Sequence, residues 1–301
     1  VHPNITWHQA DIGDRAAIEP IFDGVRRDGG AEILIHLAAH YDFTGEEHPE
    51  YERTNVHGLR NVLELAKPLG LKRFVFPSST AACRFPAVGE ALTEGSPPDG
   101  DHIYARTKAK GERMLAEYRD HFPSTIVRFA ALFSDWCEYP PLFMFLETWL
   151  SSAWNARMLG GRGQSAIPYL HVDDLTLFFL ALLDRLDELP PGQVLQASPD
   201  GAVSHQQLYD EATLLHFGNR RASIHMPRPL CRPGMWGLDL LGRLTGKRPF
   251  ERPWMARFID THLSVDASRT MRRLGWQPHA RLHLLNRIPF ILARYRPPEG
   301  G

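Results

Sequence analysis

The stretch Arg73-Phe74-Val75-Phe76-Pro77-Ser78-Ser79-Thr80 reads as an apolar strand, Arg73 to Pro77, that runs out into hydroxyl side chains. Tyr104-Ala105-Arg106-Thr107-Lys108 begins 25 residues after Ser79, inside a helix expected over His102 to His121. Strand followed by helix is the pattern of the whole N-terminal half. Ile5 to Ala10, Glu32 to Ala38 and Ser124 to Ala130 read as strands, and Asp14 to Arg27 and Thr54 to Leu69 as helices. Such alternation predicts a doubly wound α/β fold, a parallel sheet with helices on both faces. Ligands of such sheets sit at the C-terminal ends of the strands, which is where Ala38, Ala39 and Ser79 fall.

Beyond Arg128 the pattern loosens. Pro140-Pro141 breaks the chain, Phe143, Met144, Phe145 and Trp149 suit the core of a small cap, and Gly160-Gly161-Arg162-Gly163 makes a loop. Asp173 to Leu186 reads as a helix and Val194 to Ala197 as a strand able to return to the sheet. Mostly helical segments punctuated by prolines follow from Ser204 to Arg296. The expected organisation is a nucleotide-binding part over 1–136, joined by 170–200. A smaller, mainly helical substrate-binding cap over 137–169 and 201–296 follows, with a tail over 297–301.

Residues four apart share a helix face, so the Lys108 ammonium can lie near the Tyr104 phenol and favour its ionised form. Ser79 is then placed to hold a substrate oxygen. Moving a phenol from a pKa of about 10 to about 7 needs roughly 4 kcal/mol. A unit charge about 6 Å away gives roughly 3 kcal/mol at an effective dielectric of about 20. The positive ring of an oxidised nicotinamide would add the remainder, which ties this trio to hydride chemistry with a dinucleotide.

With 301 residues, 43% of them apolar, the chain can bury a sizeable core, and a formal net charge of −1 shows no footprint for nucleic acid or an anionic membrane. No stretch reaches the ~20 apolar residues of a spanning helix. Cys83, Cys137 and Cys231 are odd in number, far apart and not in CxxC pairs, so neither a disulfide framework nor a zinc site is expected, and a reducing cytoplasm fits best. His36 and His40 are four apart, but on a strand end and turn rather than a helix, so no metal is assigned. Asp173-Asp174 suits the capping of a helix start, a structural role.

Six further segments, in order, carry a resemblance: Asp11-Ile12, His36-Leu37-Ala38-Ala39, Thr54-Asn55-Val56-His57-Gly58-Leu59-Arg60-Asn61-Val62-Leu63, Pro77-Ser78-Ser79-Thr80 with Tyr104 and Lys108, Tyr169-Leu170-His171-Val172-Asp173-Asp174, and Leu274-Gly275-Trp276-Gln277-Pro278. Together they are similar to the extended short-chain dehydrogenase/reductase family, which includes NAD-dependent sugar-nucleotide epimerases and dehydratases and 3-beta-hydroxysteroid dehydrogenases. The resemblance implies a Rossmann-like fold that binds NAD or NADP. Asp11 and Ile12 would contact the adenine, Leu37, Ala38 and Ala39 would line the cofactor, and Asn55 would steady the loops on that side. Tyr104 would be the general acid/base, Lys108 would activate it and bind the nicotinamide ribose, and Ser79 would be the active hydroxyl. It also implies a homodimer through the helices 54–69 and 102–121.

Two departures qualify the resemblance. The family's first strand, its G-x-x-G-x-x-G phosphate turn and the acidic end of its second strand do not occur in this chain, and with Val1 at its head an N-terminal truncation is the favoured explanation. The same absence leaves NAD and NADP undistinguished. Ile167 and Pro168 stand before Tyr169, where sugar-nucleotide members usually carry an arginine two positions ahead of the aromatic residue, which points to a less charged, lipid-like or aromatic alcohol or carbonyl. The leading expectation is an NAD(P)-dependent oxidoreductase acting on a small-molecule alcohol or carbonyl. The alternatives are a nucleotide-sugar epimerase or dehydratase proper, and a non-catalytic regulatory domain.

Overall fold

A computed structural model describes residues 2–246 and 251–294, so the expected tail over 297–301 lies outside the described residues. The chain divides into two compact units. One holds 1–84, 97–128 and 186–195, and the other 85–96, 129–185 and 196–301. Of the 170–200 stretch expected to return, Leu186–Leu195 lies in the first unit.

The first unit opens on helix α1 (Arg15–Arg27), whose start is fixed by the Asp14 carboxylate accepting from the Ala16 amide. Strand β1 (Ile33–Ile35) follows, then α2 (Pro49–Glu52), a π-helical turn over Arg53–Gly58, α3 (Leu59–Ala66), β2 (Arg73–Ser79), α4 (Ile103–Glu117) and β3 (Ser124–Phe129). β1 and β2 pair in parallel, and the four-stranded sheet runs β1-β2-β3-β8, with β8 (Gln193–Ala197) numbered in chain order after the strands below. The returning strand therefore joins the sheet as the alternation requires.

Ile5 to Ala10 is not a strand. It pairs with none among the described residues, and Ile5 and Trp7 lie open to solvent. A strand needs a neighbour to satisfy its backbone amides and carbonyls, and β1, at the sheet edge, is itself only three residues long. The apolar alternation is present in the sequence, but the pairing is not.

The core of this unit is built by Leu59, Leu63 and Ala66 of α3, Phe74 and Phe76 of β2, and Met114 and Leu115 of α4. Gly111 sets how close α4 comes. A Cβ there would meet Phe76 Cζ at 2.5 Å and Leu59 Cδ2 at 3.1 Å, so only glycine lets the helix seat this deeply against sheet and neighbour. Arg73 is buried at the other end of β2, where it donates to the carbonyl oxygens of Leu186 and Leu189, both at 2.8 Å.

The second unit contains β4 (Ala131–Phe133), α5 (Pro140–Trp149), β5 (Met158–Gly160), β6 (Ala166–Ile167), β7 (Tyr169–His171), α6 (Val172–Asp184), β9 (Val203–Ser204), α7 (His205–Phe217), β10 (Ile224–Met226), α8 (Arg228–Thr245), α9 (Ser268–Leu274) and α10 (Leu284–Arg294). β4 and β7 pair in parallel, as do β5 and β10, while β6 and β9 run antiparallel. Leu142, Leu146 and Trp149 of α5 pack with Tyr209 of α7 and Ile288 of α10. Phe145 stacks on Trp149 at 5.2 Å, but Phe143, expected in the core, is on the exposed side of α5.

The capping expected of Asp173 and Asp174 belongs to another residue. His171 Nδ1 accepts from the Asp173 amide at 3.1 Å, and the buried Asp174 carboxylate instead receives the His279 amide and pairs with its Nδ1 at 2.6 Å.

Replacing Gly111 with alanine gains roughly 1 kcal/mol of helix propensity but overpacks the seat against Phe76, a change that typically costs about 1–3 kcal/mol. The expected net result is a melting temperature lowered by a few degrees. A scan showing Gly111→Ala as stable as the parent, or more so, would show that α4 does not need this close approach.

Candidate active site

Ser79 ends β2 and caps the short turn that follows, its hydroxyl accepting from the Ala81 amide at 3.1 Å. Tyr104 lies in the first turn of α4, whose start is capped by His102, and the Ser79 hydroxyl is near enough to the Tyr104 phenol to favour its ionised form. One turn further along, Lys108 is buried, with its ammonium 5.8 Å from the centre of the Tyr104 ring. The three expected side chains are thus brought together where a strand end meets a helix start.

Lys108 donates to the Pro77 carbonyl oxygen at 2.7 Å and lies 5.2 Å from the Phe76 ring centre. Burial lowers its pKa to about 8, with the Glu112 carboxylate acting the other way. Burial pushes the Tyr104 phenol up to about 12, opposed by the nearby Ser79 hydroxyl. An acidified phenol was expected from the helix spacing. The spacing is there, but desolvation of the phenol outweighs what its neighbours supply.

Glu112 is the residue that sequence reasoning missed. It lies one turn beyond Lys108, receives the Ser78 hydroxyl at 2.6 Å, and takes Nε and Nη2 of the fully buried Arg128 at 3.0 and 2.8 Å. The spacing puts it in register, since positions 104, 108 and 112 repeat every four residues along one helix face, but gives no sign of its buried partners. His36, buried between Phe74 and Phe76 with ring centres 6.2 Å from each, is held neutral by its burial, with its pKa lowered to about 3.

The expected cofactor-side residues fall into two groups. Leu37, Ala38 and Ala39 follow β1 and are exposed, and they lead to His40, whose backbone is clamped by Asn55. Asn55 Oδ1 accepts the His40 amide at 2.6 Å, while Nδ2 donates to the His40 carbonyl at 3.0 Å and to Thr107 Oγ1 at 3.1 Å. Asn55 thereby ties this loop to the helix that carries Tyr104 and Lys108. Asp11 and Ile12 lie instead against the π-helical turn and α3. Arg53 reaches Asp11 at 2.7 Å and holds its carboxyl below the usual range, and Asn61 donates to the Ile12 carbonyl at 3.0 Å. Gly58 admits Ile12, since a Cβ there would meet the Ile12 side chain at 2.9 Å.

Over the phenol lies Tyr41, its ring 4.2 Å from that of Tyr104 and nearly parallel, with Phe43 4.1 Å further on. Phe43 has a positive φ of 59°, a conformation uncommon for a bulky residue, and Asp42 beside it accepts the Tyr51 hydroxyl at 2.8 Å. An aromatic lip is therefore braced over the Tyr104 ring.

A nicotinamide ribose fits this donor set. Lys108 has three N–H groups and Pro77 takes one, while the exposed Leu37–Ala39 strand end leaves the backbone approachable.

The family model described as "NAD dependent epimerase/dehydratase family" matches residues 1–197, and the chain belongs to that family. Its relatives are members of the extended short-chain dehydrogenase type. A 3beta-hydroxysteroid-dehydrogenase/decarboxylase isoform 1 of Arabidopsis thaliana is 24% identical over 291 residues, which span 91% of this chain and 63% of that protein. A probable UDP-glucuronate 4-epimerase of Rhizobium meliloti is 26% identical over 288 residues, covering 83% of this chain and 79% of the relative. Among solved structures, UDP-glucose 4-epimerase from Thermotoga maritima superposes with a TM-score of 0.71 at 19% identity, over 98% of this chain and 85% of that one. The Rossmann-like α/β fold expected from the alternation is thereby shown.

The Lys108 shift sets a pH dependence of stability. Its folded pKa, about 8, lies below the unfolded value near 10.5. Between these the unfolded chain binds the extra proton, so stability rises with pH through that window, and the full penalty stands below pH 8. Lys108→Met should therefore raise stability by roughly 2–3 kcal/mol at neutral pH, a gain that shrinks towards pH 10.5. Denaturant titrations of both proteins across this range check it, and a gap independent of pH would contradict the buried cation.

Proposed function

We propose that this protein is an NAD(P)-dependent oxidoreductase that works at a carbinol or carbonyl carbon, with Tyr104 exchanging the hydroxyl proton. The observation that carries the reading is the Tyr104 phenol placed beside the Ser79 hydroxyl, with the buried Lys108 ammonium 5.8 Å from the centre of its ring. A bound nicotinamide would supply the hydride acceptor or donor. The chain's own residues do the rest. Ser79, beside the phenol, fixes a substrate oxygen within reach of the same proton. Tyr104 passes that proton to or from the oxygen, and Lys108 holds positive charge where the phenolate develops and offers its remaining N–H groups to a ribose. Leu37, Ala38 and Ala39 line the cofactor in this reading, and Asp11 and Ile12 meet its adenine end.

The substrate in this reading is an apolar or aromatic alcohol or carbonyl. Tyr41 and Phe43 present aromatic surface at the phenol, and Ile167 and Pro168 stand where a diphosphate-binding arginine was sought. A nucleotide sugar is the second reading, supported by the named activity of the Rhizobium relative. A homodimer through the helices 54–69 and 102–121 belongs to the same reading.

Following NAD(P)H absorbance across alcohol and nucleotide-sugar panels tests it. Tyr104→Phe should lower kcat by about 10²–10⁴-fold, and full activity in that variant would end the assignment. Tyr41→Ala should raise KM for apolar alcohols more than it changes kcat, because it removes contact surface and leaves the proton path intact. An effect confined to kcat would move Tyr41 into the chemistry instead.

A further inference from the structure

The feature left unused by this chemistry is helix α8, Arg228–Thr245, in the second unit. Placing its residues at about 100° each around the axis separates two faces. Cys231, Met235, Asp239 and Gly242 share one side. There the Cys231 thiol bonds the Met226 carbonyl, Cys231 and Met235 pack with Ala256 and Ile259, and the buried Asp239 carboxylate takes Arg243 at 3.0 Å and Arg252 at 2.9 Å. The opposite side carries Leu230, Pro233, Trp236, Leu240 and Leu244 in an arc of about 120°. Leu230, Trp236, Leu240 and Leu244 are 58%, 58%, 59% and 79% exposed.

A helix that meets water normally turns its polar residues outward. Here the outward arc has no charged side chain, and Arg232 and Arg243 fall on the flank next to Trp236, with Arg228, at the exposed first turn, further round towards Asp239. Scattered exposed leucines need no explanation, but a continuous apolar stripe of this kind marks a surface that something covers.

We propose that α8 lies flat in the surface of an anionic lipid bilayer, with the Leu230–Leu244 stripe immersed and the arginine flank at the headgroups. Charge supports this occupant. Helix α8 itself, Arg228–Thr245, carries three basic residues and one acidic one, against a net charge of −1 for the whole chain, and the acidic one, Asp239, is buried on the packed side. Trp236 sits at the boundary between stripe and arginines, the position an amphipathic ring favours at a lipid interface. A second copy of the chain suits the stripe less. A single 18-residue helix offers a footprint of roughly 300 Å², so pairing through it buries well short of the ~1,200 Å² or more of a stable interface. The expectation of no membrane partner rested on overall charge and on spanning length. No helix among the described residues is long and apolar enough to cross a membrane, but neither argument bears on a helix that lies in the interface.

Co-sedimentation with vesicles of roughly three parts phosphatidylcholine to one of phosphatidylserine tests the proposal on the whole chain. The parent protein should bind, and Leu240→Glu/Leu244→Glu should weaken partitioning by at least about ten-fold. Arg228→Gln/Arg232→Gln should weaken it by about 25-fold on anionic vesicles and little on neutral ones. Circular dichroism should show both variants folded, since the replaced side chains are exposed. Should the glutamate pair unfold, quenching by brominated lipids that is lost in Trp236→Phe supplies the same answer in an unperturbed fold. Absence of binding by the parent, or equal binding by the glutamate pair, overturns the proposal. So does sedimentation velocity showing that the glutamate pair breaks a dimer that ignores vesicles.

Discussion

The candidate site rests on keeping one ammonium charge inside the protein. An ion removed from water is stable only where fixed dipoles or counter-charges replace its hydration, and a buried cation without them releases its proton. Lys108 has the Pro77 carbonyl in direct contact and the Glu112 carboxylate one turn away. Glu112 is itself committed to Arg128 and Ser78, so it tempers the field at Lys108 without closing an ion pair over it. The consequence is a lysine that is still protonated at neutral pH but poised near its titration point. Such an arrangement needs α4 pressed onto β2, and the missing Cβ at Gly111 permits that approach.

The phenol poses the opposite problem. Burial that protects the site from water also disfavours the phenolate, and the nearby Ser79 hydroxyl does not offset it. A general acid/base is most effective with a pKa near the working pH, so the site as built stabilises the protonated resting form of Tyr104. Only added positive charge close to the ring, or strengthened hydrogen bonds to the oxygen, can bring the phenol into range. Tyr41, stacked on the ring, bears on this balance as well, because it replaces water on one face and leaves the oxygen end to Ser79.

The parts of this picture that were legible in the sequence are those fixed by local periodicity. The four-residue repeat of α4 put Tyr104 and Lys108 on one face, and the β-to-α alternation gave the order of elements and the return of Gln193–Ala197 to the sheet. What depends on distant partners was not legible. Ile5 to Ala10 has the composition of a strand, yet whether it is one is decided by what lies beside it. Asp174 looked like a cap because it opens a helix, but its carboxylate is taken by His279, about a hundred residues on. Glu112 was hidden because a glutamate on a helix is ordinarily solvated, and only the fold reveals that Arg128 and Ser78 meet it in the interior.

Helix α8 shows the same limit from the other side. Its sequence presents apolar residues on most of its circumference, which by periodicity alone reads as a helix buried all round. The structure packs only the narrow side of Cys231, Met235 and Gly242, with Asp239 neutralised there by two arginines. Because that side is lined mostly by small or paired groups, it gives the helix a seat without using Leu230, Leu240 or Leu244. The largest apolar side chains are thus on the outward arc, where folding of the unit gains nothing from them. Their position follows from what the helix meets outside the fold, and the arginines gathered along one edge set the sign of the charge it can meet.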